Sequence, residues 1–208
     1  MFYENNNKGE VCMNTAQPIR NPEDLENLKK YYVEDRPHCR NQLLIVMGLN
    51  TALRISDILS LRWESVYEFR KQEYKTHILL TEQKTGKISR IYINKSIQNA
   101  LTEYRENMHS NNIPFRRSQF LFRHTSSNVP ITRIQAFRII KEAAEYYQIP
   151  GTICCHSLRK TFGYHAWKQG VSPVLLMSIY NHSSFQVTKR YLGIEQDDRD
   201  QIFEQIML

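Results

Sequence analysis

His156-Ser157-Leu158-Arg159 opens a helical stretch and sends a proton-transferring ring and a permanent cation from one turn toward one place. Further along, Asn181-His182-Ser183-Ser184 precedes Thr188-Lys189-Arg190-Tyr191, which sets a second imidazole nine residues before a phenol. Upstream stand Arg54, in Thr51-Ala52-Leu53-Arg54-Ile55-Ser56-Asp57-Ile58, and Lys84, in Gln83-Lys84-Thr85-Gly86. Guanidinium groups stay charged and bind phosphate oxygens bidentately, and a phenol is a nucleophile once its proton has a destination. Together these residues suit attack on a phosphate ester. Singly, each has a plain structural use: Arg54 as an ion-pair partner of Asp57, His182 as a helix cap, Tyr191 as a half-buried core aromatic, Lys84 as a solvated turn lysine beside Lys87. Their joint occurrence in this order is what points to chemistry.

The elements that must carry them are legible from periodicity. Residues 1 to 20 are polar, with Asn5, Asn6 and Asn7 adjacent, and read as a flexible tail. Asn21 caps a helix that has Pro22 in its first turn and Leu25, Leu28 and Tyr32 on one face. After Pro37, Leu43, Leu44, Ile45, Met47 and Leu49 predict a strongly apolar, buried second helix. A turn at residue 51 leads into a short helix with Leu53, Ile58, Leu59 and Leu61 in the core. Three β-like runs follow at roughly 64–69, 75–81 and 88–93; the last two are joined as a hairpin by the Lys84–Lys87 turn. Helices are expected over 96–109, 132–147, 157–169, 173–180 and 184–191, with a last one near 198–207. The fold class is therefore mainly α with a small three-stranded antiparallel sheet, an α+β domain over 21–208.

Lys plus Arg exceed Asp plus Glu by 28 to 21, a net charge of +7, which favours a polyanionic partner, nucleic acid first. The hydrophobic share of 41% supports an ordinary packed core. Cys12, Cys39, Cys154 and Cys155 contain no CxxC pair, so neither a zinc ribbon nor a disulfide framework is expected, and a reducing, cytoplasmic setting follows. A metal site drawn from Cys154, Cys155, His156, His165 and His182 lacks ligand spacing. No run reaches membrane-spanning length, and the start lacks the apolar core of a signal peptide.

Arg54 after a Thr-Ala-Leu turn, hairpin Lys84, His156 and Arg159 in HxxR, His182 and Tyr191 resemble the six-residue set of the tyrosine recombinase, or phage integrase, catalytic domain. The resemblance runs from about residue 21 to 208. It departs from the common pattern at Ala52, where Gly is usual, at Asp57, where Glu is usual, and at Tyr180-Asn181, where Leu-Gly is common. Asn tolerates a left-handed backbone, and Ala is expected to fit with φ negative. The twenty residues ahead are too few for the N-terminal helical domain the family usually carries, so a short stand-alone member is expected.

The resemblance implies a site-specific recombinase that needs no metal or other cofactor. Tyr191 attacks a DNA phosphodiester to give a 3′-phosphotyrosyl link, Arg54 and Arg159 stabilise the phosphorane, and His182 adds a hydrogen bond. Lys84, carried on a flexible hairpin, is the general acid toward the 5′-oxygen. His156 is either a base toward Tyr191 or a donor to the phosphate. Lys87, Arg90, Arg133, Lys160 and Lys189 are candidates for flanking phosphates. Double-stranded DNA is the expected partner. The segment 198–208, with Ile202, Phe203, Ile206 and Met207 at helical spacing, is expected to dock on a neighbouring subunit in a homotetrameric synapse.

Overall fold

The computed structural model describes residues 16–194, 200 and 203–207. Helix α1 (Pro22–Lys30) starts as its sequence dictates: the Asn21 side chain accepts the Glu23 N–H, Pro22 takes the first turn, and Lys29 and Lys30 close the last. Helix α2 (Cys39–Thr51) buries Leu43, Leu44, Ile45, Val46 and Met47 in succession, so it is enclosed on every side and forms the axis of the domain. It packs against α5 (Lys95–Ser110) and α7 (Cys155–Lys168). The approach to α7 is close enough that a Cβ on Gly48 would collide with the Leu158 side chain.

Short helices α3 (Ile55–Leu59) and α4 (Trp63–Val66) follow α2, and α6 (Arg133–Tyr146) begins with a Thr132/Gln135 capping box. Beyond α7 come α8 (Pro173–Tyr180) and α9 (Phe185–Leu192), the latter capped by the Ser184 hydroxyl on the Val187 N–H. The expected three-stranded sheet is instead two separate antiparallel pairs. Strand β1 (Tyr67–Glu68) pairs with β2 (Glu73–Tyr74), and β3 (His77–Thr81) pairs with β4 (Ile88–Tyr92). The first expected strand spans too much, because residues 63–66 wind into α4 around the fully buried Trp63 and leave two residues to pair. In the hairpin, alternation behaves as the sequence predicts: Ile88, Arg90 and Tyr92 face solvent, while Ile78 is buried opposite the half-buried Ile91.

Two apolar clusters hold the described residues together. The larger runs from α1 through α2, α5 and α6 to the start of α7. The smaller consists of Ala52, Tyr164, Leu176, Tyr180, Leu192 and Ile194, with Tyr191 and Trp167 at its margin.

Two expectations need correction at the ends. Residues 16–20 are not a loose tail. Ala16 and Ile19 are buried; Ala16 bridges to Thr152, the Ile19 N–H donates to the Thr161 hydroxyl, and Arg20 reaches the Gly193 carbonyl at 2.8 Å. Ala16 and Ile19 supply the apolar anchors that polar composition concealed. Residues 1–15 and, within 198–207, residues 198, 199, 201 and 202 lie outside the described residues; 203–205 are helical, and Phe203, Ile206 and Met207 are exposed. Cys39 and Cys155 are free thiols, whereas Cys154 is in disulfide form, against the expectation of thiols throughout. Among the described residues no helix is long and apolar enough to cross a membrane.

Candidate active site

Arg54 is placed by the way α2 ends. Ala52, the C-cap, adopts a left-handed φ of 53°, against the expectation that an Ala there keeps φ negative. The reversal drives Leu53 into the core and makes Arg54 the N-cap of α3, its side chain 19% exposed. The strain, of order 1 kcal/mol for a residue with a Cβ, is retained because the Ala52 methyl is buried in the small cluster and its carbonyl accepts from Arg159 Nη1. The turn that aims one guanidinium therefore also orients the other.

Arg159, on the first turns of α7, is 4% exposed. Its second Nη lies 3.5 Å from the Tyr180 carbonyl and its guanidinium carbon 4.8 Å from the Tyr180 ring centre; in return the Tyr180 hydroxyl donates to the Arg159 carbonyl at 2.7 Å. His156, one turn earlier, has its pKa lowered to about 4, first by burial and then by Arg159, Lys160, Arg54 and Lys84. The charges of those four residues all disfavour a proton on the imidazole, which is neutral at neutral pH.

His182 and Tyr191 come from α8 and α9. Asn181 ends α8 in the left-handed conformation, φ 56°, as its residue type allows. His182 follows with Nδ1 3.0 Å from the Thr188 hydroxyl, stacked on Tyr180 at 5.5 Å and edge-on to Tyr191 at 5.2 Å. Its pKa is lowered by burial, then by Arg159 and Arg54. The half-buried Tyr191 phenol has its pKa raised by burial, against the pull of the Arg159 charge and hydrogen bond and of Arg54. Lys160 Nζ lies 5.2 Å from the Tyr191 ring centre.

Lys84 projects from an exposed turn into a cleft of about 840 Å³, whose lining includes Arg54, Ser56, Phe120, Arg133 and His156. The turn is not a loose hairpin tip. Glu82 N–H bonds to the Lys87 carbonyl and Gly86 N–H to the Glu82 carbonyl, while the Gln83 backbone N–H donates to Asp57 Oδ1 at 2.9 Å. The six residues thus converge from five places in the chain.

Of the flanking-phosphate candidates, Arg133 lines the cleft at the start of α6, while Lys87 and Arg90 are exposed on the hairpin. Lys189 stands on α9 with its ammonium 5.7 Å from the Phe185 ring centre. Lys160 departs from that group: it is 7% exposed, and its ammonium donates to the Ala16 carbonyl at 2.6 Å. As the residue after Arg159 on a buried face of α7, it points into the domain.

The expected Arg54–Asp57 pair does not form. Arg54 Nη1 is instead 2.5 Å from Glu82 Oε2, and Asp57 is fully buried on the Gln83 amide. Sequence reasoning passed over Glu82, whose only signal is an acidic side chain ending an apolar strand two residues before Lys84.

This topology, with one buried and one half-buried arginine, two imidazoles and a phenol meeting above a basic cleft, is the catalytic-domain fold of tyrosine recombinases. Solved structures bear the same fold. XerA recombinase superposes with a TM-score of 0.70 at 17% identity, over 92% of this chain and 66% of that one. XerH recombinase bound to a palindromic difH substrate superposes with a TM-score of 0.69 at 18% identity, over 92% and 54%. The chain therefore spans about two thirds of the first structure's length and about half of the second's. Among curated proteins, the probable integrase/recombinase YoeC of Bacillus subtilis (strain 168) is 38% identical over 185 residues, 89% of this chain and 93% of that protein. The sequence profile of the phage integrase family matches residues 21–197. The chain belongs to the phage integrase family and is a tyrosine-type recombinase.

Proposed function

We propose that this chain cuts and rejoins double-stranded DNA at a specific site, with the Tyr191 oxygen as nucleophile. That oxygen forms a bond to phosphorus while the bond from phosphorus to the 5′-oxygen breaks, leaving a 3′-phosphotyrosyl link and a 5′-hydroxyl; rejoining is the reverse step. The phosphate ester energy is kept in the covalent link, so the chemistry draws on no nucleotide. Arg54 and Arg159 neutralise the extra charge of the five-coordinate phosphorus, and His182 donates a further hydrogen bond. Lys84 delivers the proton to the departing 5′-oxygen.

His156 takes the role of hydrogen-bond acceptor and base toward Tyr191. Burial first and the nearby cations second hold its pKa near 4, and a bound phosphate offsets the cations' share, so DNA binding raises its basicity where it is needed. Lys87, Arg90, Arg133 and Lys189 contact flanking phosphates. Four copies assemble around two duplexes in the cytoplasm, joined through the exposed apolar side chains of α8 and of the C-terminal segment, among them Val174, Leu175, Phe203 and Met207.

The observation that carries this reading is geometric: Arg54, Lys84 and His156 line one cleft, Arg159 lies against the Tyr180 ring, and that ring contacts both His182 and Tyr191. The test is a nicked half-site duplex that traps the cleaved strand. A covalent protein–DNA band on a denaturing gel, lost in Tyr191→Phe, is the expected result; bound cognate DNA with no such band would mean a module that occupies DNA without cutting it.

A further inference from the structure

The Glu82 carboxylate is 2% exposed and accepts four hydrogen bonds. Oε2 receives Arg54 Nη1 at 2.5 Å and the Thr85 hydroxyl at 3.2 Å. Oε1 receives the Ser89 hydroxyl at 2.6 Å and Asn181 Nδ2 at 3.0 Å. These donors come from three parts of the chain: the start of α3, the hairpin that holds Lys84, and the left-handed residue before His182. A buried carboxylate is tolerated only when its lone pairs are met, and here the donors are the reaction's own supports. The pull of Ser89, Arg54 and Thr85 outweighs burial and keeps its pKa below the usual carboxylate range.

We infer that Glu82 is a positioning residue of strand cleavage, whose side chain sets Arg54, the Lys84 turn and the turn before His182 in one frame before DNA arrives. This rests on the proposed reading of the six residues. Arg54 spends one of its five N–H groups on Glu82, so the ion pair fixes the plane of the guanidinium while leaving others to face a phosphate. The same carboxylate holds Thr85, next to Lys84, while Asp57 and the Ser56 carbonyl hold Gln83 on the other side. General acid and guanidinium are thereby tied to each other, although 30 residues separate them in sequence. Asn181 adds what a Gly at that position would lack: its amide joins the His182 turn to the same oxygen that Ser89 uses.

A positioning carboxylate beside an anion site has a distinctive consequence. Its negative charge opposes phosphate binding, so removing it should leave DNA affinity unchanged or improved while the chemical step slows. Glu82→Gln keeps the shape. Its amide nitrogen is tolerated on the Ser89 and Asn181 side, where a hydroxyl and a rotated amide can accept, but the link to Arg54 loses its charge.

The experiment compares the full chain with Glu82→Gln and Glu82→Ala on the trapping half-site, measuring DNA dissociation constant and single-turnover cleavage rate at saturating DNA. We expect cleavage to fall about 30-fold in Glu82→Gln and further in Glu82→Ala, with affinity equal or tighter. Arg54→Lys should cost less in the Glu82→Gln background than alone, because the two act through one geometry. Wild-type cleavage rates at saturation in Glu82→Gln, or a loss confined to affinity, would overturn the inference while leaving the recombinase reading intact. No covalent adduct from the unsubstituted protein on bound cognate DNA would overturn both.

Discussion

Arg54, Lys84 and His156 stand on the large core, at the ends of elements whose inner faces are Leu53, Ile58, Leu59 and Leu158. His182 and Tyr191 stand on the small one, in which Leu176, Tyr180 and Leu192 carry two eight-residue helices. The first group is tied by charged hydrogen bonds across the chain, Arg54 to Glu82 and Gln83 to Asp57. The second adds to the His182–Thr188 and Asn181–Glu82 hydrogen bonds a set of aromatic contacts of 5.2 to 5.5 Å, which carry less directional restraint than an ion pair. On the outer side of α8, Val174 and Leu175 remain exposed, so that pair of helices is apolar on both faces and buried on one. The difference teaches that the proposed phosphate grip is preformed, whereas the proposed nucleophile sits on the part of the molecule that costs least to shift.

The largest test of that contrast lies in the grip. Arg54→Lys and Arg159→Lys should each lower single-turnover cleavage by about 10²- to 10³-fold, because an ammonium cannot reproduce the two-point contact. Arg159→Lys should also loosen Tyr180, and equal damage from both variants to the thermal midpoint would break the contrast.

The two close helix crossings sharpen it. Gly48→Ala drives a Cβ into Leu158 at the heart of the large core, and Gly163→Ala drives one into Leu192 and the Tyr180 hydroxyl. Overpacking of this kind costs about 1–3 kcal/mol. In urea unfolding Gly48→Ala should move the global transition. Gly163→Ala should slow adduct formation while DNA binding by gel shift is retained, since α9 carries Tyr191.

Acid should weaken the grip side through His156. Its folded pKa of about 4 lies below the unfolded value of about 6.5, so the unfolded chain binds the proton more readily. This contribution to stability is fully present above about pH 6.5, is lost as pH falls toward 4, and is constant below that. His156→Gln should flatten the pH dependence of the unfolding free energy over that window.

The smallest effect is at the junction of the two regions. Ala52→Gly relieves a left-handed residue and should stabilise the domain by about 1 kcal/mol, read as a raised urea midpoint, provided the buried methyl contributes less than the strain.

Much of the framework was legible. Asn21 before Pro22 and the apolar run of α2 are local signals, and the elements begin where these say. The hairpin and the alternation of its second strand were read from the sequence, while the pairing of Ile78 with Ile91 came from the structure. What failed were judgements in which a short stretch answers to distant neighbours. Residues 63–66 became helix because Trp63 is drawn into the core, Ala52 took a positive φ because the chain must reverse there, and Ala16 and Ile19 found an apolar surface that lies more than a hundred residues away in sequence.

The six reactive residue types, their order and the helices or turns that carry most of them are properties of the chain read along its length, because capping, periodicity and turn preference act within a few residues. Which carboxylate faces Arg54, which carbonyls orient Arg159, and that Lys160 turns inward were decided only in three dimensions. Burial and electrostatics depend on what the fold brings near, and Glu82 with Asn181 is a partnership across 99 residues that no local pattern encodes.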